Sequence, residues 1–367
     1  MKQPSVGLDA DTKKMLGAAR TLGTGSDKIT LSNDEILRIC ARIALDMGHD
    51  ELAKTVIGKE NIPPSYFETP LEWFKGATTS EDSFTSQFEV FRGTLPSFVS
   101  YFKCLCELHK RRAKFNTILQ AQGFAKVEQI VPRVLLEYGS ASVEAISSWL
   151  IWRKWFYDID NRSAQETGYL FEPILAAALG GNAYGAKNSP IKRSDDDSKG
   201  RQVDCIVIEP DTEECFAYEF KLRVTIAASG QGRFSEEIAF AEDCHNSGCT
   251  PILIVLDPTD STRLVEYVEA FEKHGGKAYV GDNAWAHLEE KSGDVMSLFL
   301  ENYVRRPLND ARAAKIDLSG VSLESDGTSI TINIGGESIK INRIGPKIPS
   351  SEDVLDLTDT TGTMLSE

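Results

Sequence analysis

Basic residues are the scarcer charge in this chain. Lys and Arg number 40 against 55 Asp and Glu, for a formal net charge of −15. That balance excludes a generic basic coat for nucleic acid, because phosphate binding rests on Lys and Arg releasing counterions. Any such contact must be local. Long apolar runs are also missing: stretches such as Ile252 to Leu256 fall far short of the roughly 20 residues that a spanning helix needs. The opening MKQPSVGLDADTKKMLG lacks the continuous apolar stretch of a secretory signal, so a cytoplasmic protein with no membrane contact is expected. Cysteine is sparse and odd in number, seven scattered residues that make no secreted disulfide framework and suit a reducing compartment. Cys104-x-Cys106-x-x-His109 and Cys244-His245-x-x-x-Cys249 lack the paired spacing of a closed zinc site and read as ordinary core and surface residues. Neither a G-x-x-x-x-G-K-[ST] phosphate loop nor a G-x-S-x-G elbow occurs, and no internal repeat is visible.

Hydrophobic residues at 41% and charged residues at 26% make an ordinary globular composition. At about 150 residues per domain, the length allows two units or one large domain with an extension. A lead-in over 1–30 is rich in Gly, Thr, Ser and Lys. The span 31–160 reads as mainly helical: SNDEILRICARIALDMG carries a capping signal at Ser32 or Asn33 and Gly48 as a stop, and periodic runs follow near 97–116 and 142–157. From 161 to 305 helices alternate with strands, which predicts an α/β block with a mixed sheet. Its order is a helix over 163–179, a Gly-rich basic loop over 180–200, strands over 203–208 and 215–222, a helix over 234–245, a strand over 251–256, and a further strand over 277–280 between helices. The run over 251–256 is apolar on both faces, as a central covered strand requires. In the 306–345 region SITINIGGESIKINR alternates around Gly335-Gly336 as a hairpin does, and 346–367 is an acidic tail of disordered character.

One strand poses a chemical question. AYEFKLR places Glu219 and Lys221 two residues apart, hence on one face, inside a segment whose neighbours are apolar. Burying charge is costly, but a hard divalent cation justifies it, since Mg²⁺ needs only one or two protein carboxylates plus substrate phosphate. Asp204, on the preceding strand of the same hairpin, supplies a second carboxylate. The plainer alternative is an ion pair between strands, worth ~0 to 1 kcal/mol at a surface. Asp11-Thr12-Lys13 and Glu289-Glu290-Lys291 repeat the acid-x-Lys spelling without a strand or hairpin. Asp211, preceded by Pro210, sits at the turn apex, over roughly 20 Å of extended chain from Glu219.

An Asp, a hairpin and Glu-x-Lys after an acidic helix (SAQETGYLFEPILAAAL) resemble the PD-(D/E)xK nuclease family over about 161–257, although Val203 and not Pro precedes Asp204. The layout is similar to that of type II restriction endonucleases. The resemblance implies a restriction-endonuclease-like α/β (α+β) core, with a mixed central sheet flanked by helices, an N-terminal helical region and a small C-terminal hairpin. It implies Mg²⁺ on Asp204 and Glu219, Lys221 acting on the attacking water, and Glu172, or Glu166, as the helix acid. It further implies double-stranded DNA as substrate, a homodimer matched to a palindromic site, and a cognate DNA methyltransferase acting on that site. Candidate DNA contacts are Lys192, Arg193, Lys199 and Arg201 in the basic loop, and Arg223, Thr225, Gln231 and Arg233 beyond the Lys. The helical region 31–160 is the candidate for gripping DNA, for dimer contacts, or both.

Overall fold

A computed structural model describes residues 8–23, 28–58, 64–76, 79–222, 231–257, 259 and 262–344. The chain divides into two compact units: Met1–Arg111 with Thr167–Ala311, and Arg112–Glu166 with Arg312–Glu367. Chain order begins α1 (Ala10–Arg20), β1 (Thr21–Leu22), β2 (Ile29–Thr30), α2 (Asn33–Asp46), α3 (Asp50–Ile57), α4 (Leu71–Phe74), α5 (Glu81–Thr94), α6 (Phe98–Ala121), α7 (Val127–Val134) and α8 (Val143–Ala178). It continues β3 (Asn182–Tyr184), β4 (Lys192–Arg193), β5 (Asp196–Gly200), β6 (Val203–Ile208), β7 (Cys215–Lys221), α9 (Gln231–Asn246), β8 (Thr250–Val255), α10 (Thr262–Lys273), β9 (Lys277–Val280) and α11 (Asp282–Leu300). A π-helical turn, Glu301–Arg305, leads to α12 (Arg306–Ala313), β10 (Val321–Ser325), β11 (Ser329–Ile334) and β12 (Glu337–Asn342).

The first unit is built on a five-stranded sheet of order β3-β6-β7-β8-β9. β3, β6 and β7 run antiparallel, whereas β7, β8 and β9 run parallel. Alternation along the strands sends Cys205, Tyr218, Phe220, Ile252 and Ile254 into one core, with residues of α2, α5, α6 and α11. Ile206, Ala217, Leu253 and Val255 join Phe240 and Ala241 of α9 and Leu264 and Phe271 of α10 in the other. β8 is therefore buried on both faces, as its unbroken apolar run requires. On the helical side, α2 starts with a capping box: the Glu35 amide donates to Ser32 Oγ, and the Ser32 amide donates to the Glu35 carboxylate. Gly48, at φ +75°, follows its last turn.

In the second unit β10, β11 and β12 form an antiparallel sheet. Gly335 and Gly336, at φ +58° and +81°, make the β11–β12 turn that the sequence predicts, and β10 adds a third strand. Trp155, Ile330 and Ile341 form its core with Phe124, Trp152 and Phe156 packed around them. Both Trp155 Nε1 and Arg343 Nη1 donate to the Gln122 carbonyl, at 3.2 and 2.6 Å.

Three local expectations change. The helix expected from 163 is the second half of α8, which runs unbroken from Val143 and passes through Pro173. A proline removes one helical hydrogen bond, and burial of Ile174, Leu175 and Ala176 directly after it holds the helix in place. The basic stretch 180–200 contains β3 and the small β4–β5 hairpin. Among the cysteines, Cys215 and Cys249 form a disulfide: they precede the register pair Phe216 and Thr250 on parallel strands, which sets their Cα atoms 4.6 Å apart. Cys40, Cys104, Cys106, Cys205 and Cys244 are free and buried. Among the described residues, no helix is long and apolar enough to cross a membrane.

Candidate active site

β6 and β7 bring the acidic and basic groups together. Cys205 lies opposite Tyr218, so Asp204 is one step further along, level with Glu219. The Phe220 amide donates to Asp204 Oδ2 at 2.9 Å, which ties the carboxylate to the strand carrying Glu219 and Lys221. Asp204 is 8% exposed. Glu219 and Lys221 are half-buried on the face of β7 that also carries Ala217, the face covered by α9. Lys221 Nζ donates to Glu219 Oε1 at 2.8 Å and to Glu237 Oε1 of α9 at 3.3 Å. Asp211 lies exposed in the β6–β7 turn, which is closed by the Glu209 amide donating to the Glu214 carbonyl at 3.0 Å.

The electrostatics follow from that crowding. Burial, then Glu219 and Glu172, push the Asp204 carboxyl well above the usual carboxylate range, against the Phe220 amide, which lowers it. Burial, then Glu219, raises Glu172 on α8. Burial alone would lower Lys221, but its ion pair and hydrogen bond with Glu219, together with Glu237, raise it above the ordinary lysine value. Lys221 is thus held as an ammonium. Four carboxyls act on this one cation, a local anionic surplus whose natural complement is a further positive charge.

The donor set suits a hard divalent ion completed by substrate. Among the described residues, no three His, Cys, Asp or Glu side chains are grouped to hold a metal alone. Two carboxylates, Asp204 and Glu219, are what Mg²⁺ needs when phosphate oxygens and water complete its shell.

The remaining sequence candidates have separate surroundings. Glu166 is buried and accepts from Lys114 Nζ at 2.6 Å, a partner outside the cluster. Glu172, one helical turn and a half later, is the α8 acid that interacts with Asp204. Lys192, Arg193, Lys199 and Arg201 line a concavity of about 650 Å³ with Lys187 and Ser198. Within it, Arg201 is held by Asp243, itself buried, and donates Nη2 to the Glu236 carbonyl at 2.8 Å, while Arg193 pairs with Glu236. Lys199 pairs with Asp196 at 2.8 Å and stays exposed. Arg223 and Thr225 lie outside the described residues, as do the side chains of Gln231 and Arg233 at the start of α9. Glu237 is the contact that sequence reading missed. Its signal was the pair Glu236-Glu237 in the helix directly after the Glu-x-Lys strand, where a strand-to-helix connection returns the first helical turns beside the strand's end.

A five-stranded mixed sheet between helices, with an acid on one hairpin strand facing Glu-x-Lys on the next, defines the restriction-endonuclease-like class of nuclease. The family model described as ApaLI-like restriction endonuclease matches residues 77–305. The type II restriction enzyme ApaLI of Acetobacter pasteurianus is 44% identical over 355 residues, covering 92% of this chain and 94% of that protein. The chain belongs to the ApaLI-like restriction endonuclease family and is a type II restriction endonuclease, a site-specific deoxyribonuclease that binds double-stranded DNA. No solved structure matches it.

Proposed function

We propose that this enzyme hydrolyses phosphodiester bonds at one palindromic DNA site with Mg²⁺ held by Asp204 and Glu219. The observation that carries the reading is the meeting of Asp204, Glu219 and Lys221 across one hairpin, with Asp204 fixed by the Phe220 amide. When bound, the ion supplies Lewis-acid stabilisation of charge developing on the phosphate. Lys221, kept charged by Glu219, orients the attacking water and offsets phosphate charge. Glu237 holds the ammonium from the α9 side, and Glu172 closes the acidic side of the site.

The DNA contact set is Lys192, Arg193, Lys199, Arg201, Arg223, Thr225, Gln231 and Arg233, with the lysines on phosphates. Arg193 and Arg201 also fix the β4–β5 hairpin to α9. The active form is a homodimer, one site per strand, and the helical region 31–160 contributes DNA grip and dimer contacts. A methyltransferase of the same specificity protects host DNA, and the enzyme works in the cytoplasm. Digestion of unmethylated plasmids by pure protein with Mg²⁺ tests the proposal: discrete fragments that vanish with EDTA support it, and intact plasmids across a broad panel refute it.

A further inference from the structure

The concavity beside the β4–β5 hairpin is built from cations. Lys187, Lys192, Arg193, Lys199 and Arg201 line it with Gln202, and among the described residues no carboxylate does. Its walls are fixed by the backbone. Gly200 lies so close to the Ala186 carbonyl that a Cβ has no room there, which seats the loop carrying Lys187 against β5. The Arg201 amide donates to the Ile191 carbonyl at 2.9 Å. The hairpin is in turn tied along α9: the Ser194 amide donates to Asp243 Oδ1 at 2.7 Å, and the Lys192 amide to Ser247 Oγ at 3.0 Å.

Two observations identify the occupant as an anion. The Lys187 and Lys192 ammonium groups are exposed and form no ion pair among the described residues. Arg193 is already engaged by Glu236 of α9, which also lies 3.6 Å from Arg201. The Glu236 side chain is 51% exposed, so it can turn out to solvent and let the guanidinium exchange one anion for another. A guanidinium held by a carboxylate is not presented to a base edge, whereas lysines act on phosphate as point charges. Double-stranded DNA is what this enzyme binds, so the anion is a backbone phosphate. Its distance from the cut follows from the chain. Arg201 precedes Asp204 by three residues, at most roughly 10 Å of extended chain. Phosphates along one strand advance about 3.4 Å per nucleotide.

We propose that this concavity holds a backbone phosphate of the cut strand, within about three nucleotides of the scissile bond, and that Glu236 occupies Arg193 until that phosphate replaces it. This assignment rests on the proposed DNA contact set and adds Lys187, the position of the phosphate and its internal stand-in. Steady-state cleavage by the full-length protein tests it. The substrates are the duplex site that plasmid digestion defines and duplexes with one neutral methylphosphonate at each cut-strand position near the scissile bond. In the wild type one such position within that span lowers kcat/KM about tenfold or more, as loss of a hydrogen bond to a charged group does. Lys187→Ala with Lys192→Ala, both exposed, lowers it similarly on the unmodified duplex at unchanged Tm, and at that position the two losses do not add. Glu236→Gln lowers KM about threefold or more, a gain that a purely structural contact would not give. Losses of the double variant that add at every position overturn the phosphate seat and leave the wider contact set standing. No loss by the double variant on any duplex overturns both. A KM that Glu236→Gln leaves alone or raises overturns the stand-in.

Discussion

Lys221 sits between Glu219 and Glu237, and the balance among those three charges sets what single substitutions do. Lys221→Ala removes the cation that acts on Asp204, Glu219 and Glu172 together. Cleavage is expected to fall by roughly 10²–10³-fold, as for loss of one group stabilising developing charge. Single-turnover rates at saturating DNA measure it. Glu237→Gln keeps the shape but loosens the ammonium, so kcat is expected to drop while KM holds. Glu219→Gln separates stability from function: it relieves the repulsion that pushes Asp204 up, so the metal-free variant is expected to melt no lower than wild type although it no longer cuts. Adding Mg²⁺ then raises the Tm of the wild type by mass action and leaves that of Glu219→Gln unmoved. A variant that melts well below wild type would mean that the cluster is structural.

At the scale of elements, the β4–β5 hairpin and the packing of α11 on the sheet each make a separable claim. Arg201 and Asp243 form a nearly buried pair that fastens the hairpin to α9, so Arg201→Ala is expected to cost ~3 kcal/mol of stability, since it strands a buried carboxylate. Lys199 is exposed at the same concavity. Lys199→Ala is expected to leave stability unchanged while reducing the salt dependence of DNA binding by about one counterion. Denaturant titration and salt-dependent binding curves check the two. On α11, burial lowers His287 below its ordinary value, where its ring stacks on Tyr279 of β9. Its folded-state value lies under the unfolded ~6.5, so the unfolded chain takes up the proton first and stability is lost as pH falls through that value. Between pH 7.5 and 5.5 the Tm of wild type is expected to fall more steeply than that of His287→Gln. These elements also show what the sequence disclosed. The hairpin strands, the doubly covered β8 and the β11–β12 turn are written in local alternation and turn glycines. The continuity of α8 through Pro173 is decided by burial of Ile174 and Leu175, which no local pattern records. The Cys215–Cys249 pair likewise depends on strand register, and Glu237 on how α9 returns to β7.

For the molecule as a whole, a chain of net charge −15 cannot hold DNA by charge alone. Cations outnumbered by carboxylates must act locally, where the substrate lies, and cleavage must wait for the right sequence. The acidic cluster adds to that restraint, because without a cation it repels phosphate. Asp204, Glu219 and Lys221 could be picked from the sequence because a charged pair on a buried strand has few structural uses, whereas base recognition depends on side chains reaching a groove. The measurement that tests the account most directly is digestion of an unmethylated plasmid panel by the purified enzyme with Mg²⁺, beside EDTA and Glu219→Ala controls. Sharp fragments that require the metal and disappear with the substitution are the predicted result. Fragments that persist with Glu219→Ala, or cleavage indifferent to EDTA, would contradict a metal site built on Asp204 and Glu219.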